Sequence, residues 1–225
     1  RSDDLAAAIR ALAGVIPLVG TGAGELFANL VRNQRIDRVE KYAVYLQEEI
    51  MKLPTRKDVM SLLQQPAVVD LVEEGVTQSV RALSDERQRY IARAVVSGIT
   101  SDELNHLQER QILDILNQLN DREILILDAY RTEYEDRGQK FSALLPEPVF
   151  IGADEKTVEN DAYYKASLSK LERLTLLYKD VQMNRAAEEK IGIQVPEFEN
   201  HGGDLKGHLR ISALGRLLLR KIGFA

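Results

Sequence analysis

The sequence predicts a mainly α protein, an N-terminal multi-helix bundle followed by a smaller module that mixes helix with a strand hairpin. Three observations predict it. Through most of residues 1–119, apolar side chains recur every three or four positions, the spacing that gathers them on one helix face. The joints between these runs carry helix breakers and caps: Pro54, Thr55, Pro66, Ser84 and Thr100. Beyond residue 160, a Leu-rich helical run is followed by a long polar stretch containing Gly202-Gly203, and then by a closing apolar helix.

The elements follow in order. Leu5, Ile9 and Leu12 share one helical side, and Gly14 to Gly24, with four glycines and Pro17, form a bend. Thr21 can cap a second helix to Val31 that carries Leu26, Phe27 and Leu30. This glycine-containing apolar hairpin has two uses, close helix packing or lipid contact, and Leu12, Ile16 and Phe27 are its candidate membrane or helix-packing face. Next comes a helix over 33–53 with Ile36, Val39, Ala43, Leu46 and Ile50 on one side, and charged residues between them form a solvated surface. Further helices are expected over 56–65, 67–82, 86–96 (stopped by Gly98) and 101–119, the last opened by a Thr100/Glu103 capping box.

Asn120 and Glu123 repeat the box spacing and open a helix to about Glu135, so the domain boundary is placed at 119/120. Residues 136–160, rich in Gly, Pro and acids, read as a surface insert docked by Phe141, Leu144, Leu145, Val149 and Phe150. Then come a short helix over 155–164, a helix over 167–177 with Leu168, Leu171 and Leu174 at core spacing, a hairpin over 180–206, and the closing run Ile211-Ser212-Ala213-Leu214-Gly215-Arg216-Leu217-Leu218.

Helix, helix, helix, hairpin and closing helix over residues 120–225 resemble the winged-helix form of the helix-turn-helix superfamily. The closing run looks like a wing strand entering its helix. The resemblance implies a winged-helix-like α+β module whose third helix can lie in a DNA groove or dock a protein. Its candidate nucleic-acid or partner face is Lys165, Ser169, Lys170 and Arg173 on that helix, with Lys206, His208 and Arg210 near the wing.

Charge separates the regions. The chain carries 30 Lys and Arg against 35 Asp and Glu, a net of -5, which offers no global attraction for nucleic acid or anionic membrane. Residues 160–225 alone are net basic, with 11 cations against 8 anions, whereas 120–159 hold 5 against 10. Glu172 and the acids between Asp180 and Lys206 weaken a DNA-reading role.

The residues for chemistry do not come together. Without cysteine there is no disulfide, no thiol nucleophile and no thiolate metal site, and the reducing cytoplasm is the expected location. His106, His201 and His208 match no metal-ligand spacing, and Glu103-x-x-His106 lacks the companion motifs of a metal-binding bundle. Gly20-Thr21-Gly22-Ala23-Gly24 lacks the Gly-Lys-Ser/Thr ending of a phosphate loop. No serine sits in a nucleophile context. No catalytic, cofactor or metal residues are therefore expected. The expected function is that of a non-catalytic intracellular adaptor or regulator acting on a protein partner or as a homo-oligomer. The alternatives are a winged-helix DNA-binding regulator and a membrane-associated effector that uses the N-terminal hairpin.

Overall fold

The computed structural model describes residues 25–53, 62, 65–100, 106–131, 144–180 and 208–224, with only the backbone for 25–33 and His208. It bears out the mainly helical N-terminal bundle followed by an α+β segment with an open two-stranded sheet. Its helices are α1 (Glu25–Met51), α2 (Pro66–Arg81), α3 (Asp85–Ile99), α4 (His106–Gln118), α5 (Asp121–Ala129), α6 (Glu155–Arg173) and α7 (Ala213–Lys221). The strands are β1 (Leu177–Asp180) and β2 (His208–Ile211).

The chain divides into two compact units. The first comprises residues 1–121 and 218–225, the second residues 122–217. One division falls at the start of α5 and the other inside α7.

In the first unit α3 lies against α1, α2 and α4. Its apolar face explains this: Ile91, Ala92, Val95 and Ile99 are all buried, as are Tyr42 and Leu46 of α1, Leu71 and Val76 of α2, and Leu113 and Leu116 of α4. Ala92, Val95 and Ile99, Tyr42 and Leu46, and Leu113 and Leu116 are three or four residues apart on their own helices, and Leu71, Val72 and Val76 are buried along α2, so four amphipathic faces close on one another. Pro66 occupies the first position of α2, where a missing N–H costs nothing. Ser84 caps α3 by accepting from the Arg87 N–H at 3.1 Å and also donates to Asp121 at 2.5 Å.

Several expected boundaries differ. The two helices expected to meet near residue 32 are one continuous helix, because Val31-Arg32-Asn33-Gln34 contains neither Pro nor Gly to break it. Gly98 does not stop α3. A Cβ there would stand 2.8 Å from Leu71 Cδ1 and 3.2 Å from Glu109 Cβ, so this glycine is what lets three helices approach. α5 ends at Ala129, with the Arg131 N–H turning back to the Asp128 carbonyl at 3.0 Å. The expected helix over 5–13, the Gly202-Gly203 hairpin tip and, apart from Leu62 and Gln65, the expected helix over 56–65 lie outside the described residues.

In the second unit, the two helices expected over 155–164 and 167–177 are a single helix, α6. Asp154 caps it by accepting from the Thr157 N–H at 2.8 Å, and nothing in Ala162 to Ser169 interrupts it. The end comes at Leu174, and Leu177 sits in β1 instead of a helix. β1 and β2 pair antiparallel with Leu177 opposite Ile211 and Tyr178 opposite Arg210. Leu177 and Ile211 are buried beside Leu171, Leu176, Ile124 and Leu127, which form this unit's core. The Ser212 N–H donates to the Leu176 carbonyl at 2.9 Å, and its side chain accepts from the Gly215 N–H at 3.0 Å, so one serine joins β2 to α7. Gly215 is required at that joint, since a Cβ would lie 2.5 Å from the Leu176 oxygen.

Candidate functional site

α6 is packed along one side only. Tyr164 and Leu171 are its buried residues, with Thr157, Asp161 and Leu168 half-buried on the same side. Burial pushes the Tyr164 phenol above its ordinary value, against the smaller opposing effects of Tyr130 and Arg122. The opposite side is exposed along the helix: Glu155, Val158, Glu159, Ala162, Lys165, Ala166, Ser169 and Arg173. The helix thus presents one free face.

Lys165, Ser169 and Arg173, three of the seven residues expected at the interaction face, come together there at helical intervals of four. Lys165 holds Asp161 at 2.7 Å and remains well exposed. Lys170 turns away from them. Its ammonium reaches both carboxylate oxygens of buried Glu123, at 2.8 and 3.1 Å, so it ties α6 to α5 and does not face solvent with the others. Arg210 on β2 pairs with Asp180 on β1 at 2.7 Å. Lys206 lies outside the described residues, and of His208 only the strand position, opposite Asp180, is described. Of the N-terminal face, Leu12 and Ile16 lie outside the described residues, and Phe27 is described only as a backbone position in α1.

A second feature departs from the expected docking of the apolar insert residues. Val149, Phe150 and Ile151 are exposed, Ile151 completely and Phe150 at 69%. The Ala153 N–H donates to the Phe150 carbonyl at 3.0 Å, and Gly152 supplies the left-handed φ of +94° that the turn needs. The signal was present in the sequence: Pro146, Pro148 and Gly152 bracket the three apolar residues and favour a turn over a buried strand. Leu145 is exposed as well, at 50%.

Acidic groups stand on both sides of this turn along the chain. Glu147, Asp154, Glu155 and Glu159 are all exposed, with Lys156 the cation among them. The Asp154 carboxyl is held below its ordinary value by the Thr157 side chain and backbone N–H. An open cleft of about 460 Å³ lies beside it, lined by Arg122, Leu144, Glu147, Asp154, Lys156 and Asn160. Arg122 donates to the Leu144 carbonyl there at 3.2 Å.

Among the described residues no group of three or more His, Asp or Glu could hold a metal ion. Also among the described residues, no helix is long and apolar enough to cross a membrane. The antiparallel strand pair that follows the helices, with a helix after it, is loosely consistent with a winged-helix-like module. Comparison with models of known families, with characterised proteins and with solved structures finds no match.

Proposed function

We propose that this chain is a non-catalytic adaptor or regulatory protein that works by protein contact, its helical unit serving as scaffold and its α+β unit as the contacting module. The observation that carries the reading is the hydrogen-bonded turn that presents Val149, Phe150 and Ile151 to solvent, flanked in the chain by the exposed acids Glu147, Asp154 and Glu155. Consecutive large apolar side chains held outward are the composition of an interface anchor, and the flanking carboxylates favour a basic partner surface. The absence of cysteine suits work in a reducing cytoplasm.

A second reading, DNA binding, is favoured by the shared face of Lys165, Ser169 and Arg173. Three ionic contacts weigh against it: Lys165 of that face, Lys170 and Arg210 each already hold a carboxylate. The experiment compares the full chain with a Phe150→Asp, Ile151→Asp variant. A protein partner identified with the wild-type chain should be lost from the variant while the helical circular dichroism is unchanged. Pooled DNA duplexes should not be retained even at low salt. Retention that falls steeply as salt rises, and survives the variant, would replace this reading with the DNA one.

A further inference from the structure

We infer that the free face of α6 is a self-recognition surface on which two copies of this chain pair antiparallel. The inference rests on the reading of the second unit as an interaction module and names its partner as a second copy.

Glu155, Glu159, Ala162, Ala166, Ser169 and Arg173 recur at alternating steps of four and three, and all six are exposed. That alternation keeps a seam straight along two helices wound around each other. Tyr164 and Leu171, the residues α6 buries in its own unit, sit on the side opposite the seam, so both faces can be occupied at once. The occupant is specified by charge. Acids stand at the N-terminal end of the seam, a cation at the C-terminal end, and the smallest side chains at the centre. A surface with this order is complementary to itself when reversed, which is the condition for a two-fold interface in which residue i meets j and j meets i.

The reversed pairing centres on Tyr164. It sets Glu155 against Arg173 of the second copy, Glu159 against Ser169 and Ala162 against Ala166, and each relation occurs twice. The two alanine pairs let the backbones approach closely, where bulkier seam residues would hold them apart. On one flank the two exposed Tyr163 rings meet. On the other the two Lys165 ammoniums approach, each with its own Asp161 at 2.7 Å to offset the repulsion. The parallel arrangement is excluded by the same residues, because it would stack Glu155, Glu159 and Arg173 on their own copies.

Sedimentation velocity of the full chain across a concentration series tests this. The wild type is expected to pass reversibly from monomer to dimer. Glu155→Arg and Arg173→Glu each place like charges at two points of the seam and should weaken dimerisation at least tenfold. The two together in one chain should restore it to within about threefold of wild type, a recovery that general destabilisation would not produce. Ala166→Arg should leave a monomer whose circular dichroism and melting temperature match the wild type, because position 166 is exposed in the single chain. A wild type that stays monomeric overturns the inference, and so does a dimer indifferent to the single swaps or not rescued by the double one. If the chain is monomeric yet still loses a protein partner on Phe150→Asp, Ile151→Asp, the interaction reading stands and only the self-pairing falls.

Discussion

Tyr42 in α1 is wholly buried, and its hydroxyl has no hydrogen-bond partner among the described residues. Burial alone holds the phenol far above its ordinary value, so it stays neutral. Gly75 of α2 sits directly beneath this hydroxyl: a Cβ would run into the oxygen and stand 2.8 Å from Val95 Cγ2. The glycine therefore makes room for the tyrosine. Tyr42→Phe should be neutral or stabilising by up to about 1 kcal/mol, because it removes a polar atom buried without compensation. Gly75→Ala should destabilise by roughly 1–3 kcal/mol through overpacking. In the Tyr42→Phe background that cost should fall, and urea unfolding of the four chains in a double-mutant cycle would measure the coupling. Equal costs in the two backgrounds would mean that Val95, not the hydroxyl, sets the limit.

Two helices of this chain end in the same hydrogen-bond pattern but with different residues at its strained position. At the end of α7, the Phe224 N–H reaches the Leu219 carbonyl at 2.9 Å and the Gly223 N–H reaches Arg220 at 3.2 Å, with Gly223 at φ +95°. At the end of α6, the Leu176 N–H reaches Leu171 at 2.9 Å and the Thr175 N–H reaches Glu172 at 2.8 Å. There the left-handed residue is a threonine, at φ 57°. A β-branched side chain in that region costs about 1–2 kcal/mol, which glycine escapes at the price of a more flexible unfolded chain. Thr175→Gly should therefore stabilise the chain by roughly 1 kcal/mol, read as a higher denaturant midpoint with an unchanged slope. Loss of stability would show that the Thr175 hydroxyl, which donates to the Leu174 carbonyl at 2.7 Å, contributes more than the strain costs. The threonine holds the joint where α6 passes into β1, so the element that presents the free face is also the one whose end carries strain.

On the scale of the whole molecule, the first unit is completed by the last residues of the chain. Leu218, Leu219 and Ile222 are fully buried, and Phe224 lies with its ring centroid 5.5 Å from that of Tyr90 in α3. Lys221 reaches buried Glu109 in α4 at 2.5 Å, and Arg93 donates to the Ile222 carbonyl at 3.3 Å. Burying three such aliphatic side chains stabilises by roughly 1.5–3 kcal/mol each, which summed rivals the ~5–15 kcal/mol stability of an ordinary domain. Truncation after Leu217 should therefore abolish cooperative unfolding of the N-terminal bundle, with hydrogen exchange in α3 and α4 losing its protection. Lys221→Met, a milder change, should leave Glu109 buried without its cation and cost about 3–5 kcal/mol. Protection in α3 that survives truncation would show that the bundle is self-sufficient.

Much of the architecture was legible from local chemistry. Ser84 and Pro66 mark helix starts because a cap and a missing N–H act within one turn, and Leu171 declares itself core by its spacing from Leu168 and Leu174. The polar character of α6's outer face was also legible, since helical periodicity alone places Lys165, Ser169 and Arg173 together. The same periodicity cannot say that Lys170 leaves them, because its partner Glu123 is 47 residues away and buried by another helix. Nor can it say that Gly98 permits a helix crossing instead of ending a helix, that Val149 to Ile151 face outward, or that residues 218–224 complete a bundle begun near residue 25. The sequence by itself determined which segments are helical and which faces are apolar, because those follow from short-range spacing, capping and side-chain entropy. Only the tertiary structure decided which of these faces stay open, because exposure depends on what the rest of the chain has already covered.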